Sequence, residues 1–131
     1  MKELEVVCAL LFDAEARVLV CQRAAGKAQA GLWEFPGGKV EVGESPQLAL
    51  QREMLEELGC RCDVHEEATT VLHDYPEFRI RLRPFRCSLA QGSPEPRALE
   101  HADIRWVEPA ELESFTLAAA DVPIAIELMS A

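Results

Sequence analysis

The stretch Ser45–Gly59, SPQLALQREMLEELG, narrows what this chain can fold into more than any other. Ser45 can cap a helix, because its hydroxyl accepts from a free N–H of the first turn. Pro46 then takes the first helical position, where its missing N–H is harmless. Gly59 ends the helix at a residue that tolerates positive φ. Inside, Leu50, Met54 and Leu58 recur every four residues as an apolar stripe that Leu48 and Leu55 are expected to widen. Glu53, Glu56 and Glu57 share another face at i, i+3 and i+4 spacing. Like charges so placed destabilise an isolated helix by roughly 0.2–0.5 kcal/mol per pair, and negative charge near the C-terminal end opposes the macrodipole. Arg52 can pair with Glu56, but one guanidinium does not neutralise three carboxylates. A solvated acidic face is the ordinary explanation of such a cluster. Here the hard oxygen ligands stand beside a Gly37-Gly38 turn with accessible carbonyls, and that combination suits Mg²⁺ or Mn²⁺.

The wider string decides between the two. It reads Gly38, five residues, Glu44, seven residues, Arg52-Glu53-Met54, one residue, Glu56-Glu57, one residue, Gly59, Cys60. This resembles the Nudix box, the signature of the Nudix hydrolases, which cleave nucleoside diphosphates linked to another moiety. Cys60 departs from the aliphatic residue of the pattern, which bears only on packing, since a thiol is small and buriable. The resemblance implies an α/β fold, a Nudix-type α/β/α sandwich with a mixed β-sheet, and a single domain over residues 1–131. It implies that Glu56 and Glu57 are metal ligands and that Glu53 is a ligand or the general base. Arg52 and Glu44 would be the pair that orients the carboxylates, and the Gly37 carbonyl a further ligand.

Outside the box the chain resembles the MutT-like branch, which hydrolyses nucleoside triphosphates to monophosphates and pyrophosphate. The matching strings are Gln22-Arg23, Gly31–Lys39, Glu100 with Trp106 six residues on, and Ala120-Asp121-x-Pro123. By that match Arg23 binds phosphate, Glu100 completes the metal shell and Asp121 reads the base. Taken alone, Arg23 reads as a solvated strand-end arginine, Glu100 as a loop carboxylate and Asp121 as a helix cap. Phe35 could stack on a base, because any base offers a π-face. The histidines His65, His73 and His101 have no ligand spacing and are given no role.

Composition sets the outer limits. A chain of 131 residues, 49% hydrophobic and 27% charged, has the balance of one globular domain. A formal charge of −10 argues against stable binding of nucleic acid or of anionic membranes. The partner expected is a small nucleotide, and the protein a monomer or homodimer. The charged start Met1–Glu5 lacks a leader pattern, and five cysteines without a C-x-x-C pair suit reduced thiols, so a cytoplasmic location is expected.

Along the chain, Glu5–Phe12 and Val18–Cys21 read as apolar strands, forming a hairpin or neighbours in one sheet. His73–Glu77 reads as a turn. Phe78, Ile80 and Leu82 alternate with Arg79, Arg81 and Arg83 as a half-buried strand that Pro84 ends or confines to an edge, with Phe85 and Cys87 able to resume it. Ala90–Leu99 is a Pro/Gly-rich loop, Ile104–Val107 a short strand, and Asp121 caps a final helix. Three activities compete: hydrolysis of oxidised purine nucleotides such as 8-oxo-dGTP, hydrolysis of cytidine or modified pyrimidine triphosphates, and nucleotide binding without catalysis. The complete set of box glutamates ranks the last reading lowest.

Overall fold

The computed structural model describes residues 2–131. In chain order the main elements are β1 (Lys2–Leu11), β2 (Val18–Gln22), β3 (Trp33–Glu34), β4 (Gly37–Lys39), α1 (Pro46–Leu58), β5 (Cys62–Glu67), β6 (Val71–Asp74), β7 (Phe78–Leu89), β8 (Asp103–Val107) and α2 (Val122–Ser130). Two 3-10 helices, Pro109–Ser114 and Ala119–Asp121, precede α2.

The first strand is apolar on both faces because both faces are covered. Val7, Ala9 and Leu11 pack with Leu50, Met54 and Leu58 of α1, while Cys8 and Leu10 pack with Ile124 and Leu128 of α2. This two-residue alternation places the sheets between the two helices. β1 runs parallel to β7 from Lys2↔Phe78 to Leu11↔Cys87. β4 pairs antiparallel with the other edge of β1, and β5 and β6 pair antiparallel with β7. The larger sheet is therefore mixed, and the architecture is the expected α/β/α sandwich. Among the described residues no helix is long and apolar enough to cross a membrane.

Five local expectations are corrected. β1 and β2 are neither a hairpin nor neighbours in one sheet: β2 belongs to a second, antiparallel sheet of order β3-β2-β8. The only β-pairing that joins them among the described residues is the isolated bridge Phe12↔Val18 just past β1, and the edge of β1 is already taken at Val6–Cys8 by β4. That pairing is the second correction, since Gly37-Gly38 is strand rather than turn. A side chain at Gly37 would run into the Val7 carbonyl, so only glycine lets β4 lie this close.

Third, Leu48 and Leu55 do not widen the stripe; they are 59% and 55% exposed. Both lie about 100° or more round the helix from Met54. The helix instead turns Ala49 and the glutamate side toward β4, so its buried arc extends the other way. Fourth, Pro84 neither ends β7 nor marks an edge. β7 is central, and the Pro84 carbonyl accepts from Ala68 N at 2.8 Å on the side where β5 gives way to β6. The missing N–H of Pro84 points to that same break in the ladder, where a proline is tolerated. The turn before β7 is also shorter than expected, because His73 and Asp74 belong to β6.

Candidate active site

α1 begins and ends as its caps dictate. Ser45 Oγ accepts from Leu48 N at 3.1 Å, and Gly59 sits at φ 65° with its N–H bonded to Leu55 O at 3.0 Å. Helical phase then sets Glu53 against β4. A Cβ on Gly38 would fall 2.5 Å from the Glu53 carboxyl carbon, so this glycine provides the space in which the carboxylate lies. Arg52 reaches across from the same helix. Its Nε and Nη2 hold Glu44 in a fork at 2.7 and 3.0 Å, and its Nη1 donates to Glu53 Oε1 at 2.9 Å and, more weakly, to Glu56 Oε2 at 3.5 Å. The Lys39 carbonyl accepts from Nη2 at 3.1 Å. The Arg52 hydrogen bond holds the Glu44 carboxyl below its usual range.

Glu57 is the strained member of the cluster. Burial, then hydrogen bonding to Glu53 and the charges of Glu53, Glu34 and Glu100, pushes its carboxyl well above the usual carboxylate range. Its Oε1 is buried and has no hydrogen-bond partner. Glu57 lines a polar cavity of about 150 Å³ together with Arg23, Lys27, Glu34, Gly37, Glu100 and His101. A hard divalent cation fits this donor set: it would supply the charge that Glu57 lacks, among oxygen ligands. Glu56, 53% exposed at its side chain, stands at the outer rim.

A second cavity, of about 460 Å³, adjoins the first at Arg23, Glu34 and Gly37. Its walls are mostly apolar: Leu4 and Val6 of β1, Ile80 and Leu82 of β7, and Tyr75 and Phe78 at the hairpin tip. Asp121 also lines it and is 6% exposed. The expected helix cap is absent: the Asp121 side chain bonds none of the first N–H groups of α2. Its Oδ2 instead accepts from Phe35 N at 2.9 Å, across 86 residues of sequence. Burial raises the Asp121 carboxyl to about 7, aided by Glu34 and opposed by the Phe35 hydrogen bond.

The structure thus brings Arg23, Gly37, Glu57 and Glu100 around one cavity, with Glu53 beside them on the β4 backbone. Glu44 is linked to them only through Arg52. Phe35 is 3% exposed and packs in the α2-side core. So placed, it offers the second cavity little free ring surface on which a base could stack. Two residues were missed. His101 is 7% exposed at its side chain, with Nε2 3.0 Å from Glu34 Oε2 and 3.9 Å from Glu57 Oε1. Glu34 in turn holds Arg23 Nη1 at 2.9 Å. The available signal was adjacency, since His101 follows Glu100 and Glu34 lies within the Gly31–Lys39 string; ligand spacing along one element could not reveal contacts made between elements.

The NUDIX domain family matches residues 7–126. The chain belongs to the Nudix family. Among relatives of this Nudix chain, the CTP pyrophosphohydrolase of Escherichia coli K12 is 39% identical over 124 residues, covering 95% of this chain and 90% of the relative. A putative 8-oxo-dGTP diphosphatase 2 of Mycobacterium tuberculosis is 41% identical over 105 residues, covering 79% of this chain and 73% of the relative. Among solved structures, the E. coli ORF135 protein superposes with a TM-score of 0.84 at 37% identity, covering 99% of this chain and 91% of that one.

Proposed function

We propose that this Nudix chain hydrolyses nucleoside triphosphates to the monophosphate and pyrophosphate, with oxidised purine nucleotides such as 8-oxo-dGTP as its substrates, as a single-domain cytoplasmic enzyme using Mg²⁺ or Mn²⁺. The observation that carries this reading is the pair of adjoining cavities. One is lined by Glu34, Glu57, Glu100, His101, Arg23 and Lys27, the other is mostly apolar with the buried carboxylate of Asp121, and they share Arg23, Glu34 and Gly37, a layout that suits a triphosphate in the first and its base in the second. Glu53, Glu56, Glu57, Glu100 and the Gly37 carbonyl would hold the metal. Bound there, a divalent ion neutralises phosphate charge and acidifies the attacking water. Arg23 grips the phosphates, a task that favours guanidinium geometry over a lysine. Arg52, fixed by Glu44, keeps Glu53 in place as ligand or general base.

Asp121 supports the base assignment. Guanine presents acceptors at N7 and O6, and an ionised carboxylate can only accept. In 8-oxoguanine N7 carries a hydrogen and becomes a donor to that carboxylate, and a protonated Asp121 would also serve O6. Cytosine offers a donor amino group, so cytidine triphosphates are the second reading, favoured by the relative named a CTP pyrophosphohydrolase.

A screen of nucleoside triphosphates with Mg²⁺, scored by pyrophosphate release, ranks the substrates. Repeating the best reaction in ¹⁸O-water locates the attack. Label in pyrophosphate is expected for attack at the β-phosphorus, and label in the monophosphate instead would contradict it. Turnover of neither class would leave the binding-module reading standing.

A further inference from the structure

Three side chains from three separate stretches of the chain form a bridge between the two working ends of the site. Glu34, in β3, sits between Arg23 and His101 and uses a different carboxylate oxygen for each. Oε1 takes the Arg23 guanidinium at 2.9 Å and Oε2 takes His101 Nε2 at 3.0 Å. Arg23 is held a second time, its Nε donating to the Ala28 carbonyl at 2.7 Å, so the guanidinium is fixed on two of its nitrogens. His101 is almost wholly enclosed. Bonding to a carboxylate assigns its hydrogen to Nε2, leaving Nδ1 buried with no partner. The same Nε2 faces Glu57 Oε1 at 3.9 Å, the other buried polar side-chain atom that lacks a partner among the described residues. Glu34 is the shared element: one side of its carboxylate sets where the phosphate-gripping cation stands, and the other sets the imidazole against the buried carboxylate.

We propose that Glu34 and His101 are positioning residues that fix the distance between Arg23 and Glu57, and through it the register of a triphosphate on the metal-binding carboxylates. The inference rests on the nucleotide reading above. It differs from two simpler roles. If Glu34 acted only through its charge, removing that charge would tighten binding of a polyanion, because one negative group fewer would face the phosphates. If Glu34 were itself a metal ligand, removing it would weaken metal binding first. Positioning predicts neither: the anion binds less well although the site has become less negative, and the metal is unaffected. The bond from Arg23 to a neutral amide is weaker than to a carboxylate, so in Glu34→Gln the guanidinium is held firmly only through Nε at the Ala28 carbonyl and can turn about that bond.

The test uses the full chain, with isothermal titration of the non-hydrolysable α,β-imido analogues of 8-oxo-dGTP and CTP, and electron paramagnetic resonance for free Mn²⁺. Glu34→Gln should weaken analogue binding about tenfold, the size of one charge-assisted hydrogen bond, with Mn²⁺ affinity changed less than twofold. Added to Arg23→Gln it should produce no further loss, because Glu34 works through Arg23. His101→Gln returns an N–H near the position of Nε2 and should restore most of the affinity that His101→Leu removes. That rescue separates positioning from mere packing, which leucine would satisfy. Tighter analogue binding by Glu34→Gln, weaker Mn²⁺ binding, or full additivity with Arg23→Gln would each overturn the proposal while leaving the nucleotide reading intact. Failure of the unaltered protein to bind either analogue would overturn both.

Discussion

Glu57 and Asp121 are both carboxylates buried at the floor of a cavity, and both are held above their ordinary range by burial first. Their surroundings differ. Around Glu57 the next causes are other carboxylates, Glu53, Glu34 and Glu100, and one of its oxygens has no partner. Around Asp121 the cavity wall is mostly apolar, with Glu34 and Arg23 acting only through their charges, and a single backbone N–H from Phe35 bonds it. Crowded negative charge calls for a cation; an isolated carboxylate in a dry wall calls for one donor hydrogen bond from a ligand. On the proposed reading, the same physical cost prepares two different kinds of recognition in one cleft.

Glu57→Gln tests the first half and should have the largest effect. The amide keeps the shape and removes one charge, so kcat should fall by about 10²–10³-fold, as when a main electrostatic stabiliser is lost. The metal-free fold should be about as stable as before, because a carboxyl held this far above its usual range is already neutral there and an amide N–H can replace its hydrogen bond to Glu53. Near-normal turnover at saturating Mg²⁺ would defeat the metal assignment, and a fold lost on substitution would point to a structural role.

Next in size is the pH dependence set by Asp121. An unfolded aspartate titrates near about 3.9, whereas in the fold this carboxyl is raised to about 7. Between those values the native state binds more protons than the unfolded state, so stability falls as pH rises through this window and is level above it. The loss is at most about 4 kcal/mol. Urea titrations of metal-free protein from pH 4 to 8 should show it, and Asp121→Asn should flatten the difference. Parallel curves for the two proteins would mean that Asp121 is not buried as a lone carboxylate.

Asp121→Ala should lower discrimination between oxidised and normal dGTP by about 1–3 kcal/mol, the cost of an unpaired buried polar group. Comparing kcat/KM for the two nucleotides measures it, and an unchanged ratio would remove the base-reading role. The smallest effect expected is that of Arg23→Lys, which keeps the charge but not the fork. It should reduce kcat/KM by roughly 1–2 kcal/mol and leave the melting temperature almost unmoved. A fall in melting temperature with unaltered kcat/KM would return Arg23 to the role of a surface ion pair with Glu34.

The sequence was most legible where one element carried the whole signal. Ser45, Pro46 and Gly59 announce α1 because capping is local, and Glu53, Glu56 and Glu57 share a face because helical phase is local. It was least legible where a residue acts across elements. Asp121 has the composition of a cap, yet the Phe35 N–H is its partner because the chain folds back over 86 residues. His101 carries no spacing signal, since its partners come from β3 and α1. Leu48 and Leu55 looked like core because hydrophobicity marks a stripe without saying which way the helix rolls, and the roll is decided by the glycine-walled approach to β4. Pro84 misled for the same reason: whether a missing N–H matters depends on the strand beyond it.

The parallel pairing of β1 with β7 also bears on how this protein is made. Residue n of β1 faces residue n + 76 of β7 along the whole ladder. At a synthesis rate of about 5–20 residues per second, β1 waits roughly 4–15 s for its partner. Throughout that interval the run Val7–Leu11 has no β7 edge to pair with and is open to association with other chains. Arg23, Glu34 and every box glutamate leave the ribosome in the same interval. A chain stopped short of Phe78 would therefore contain the complete signature and still lack the central strand that brings its site together.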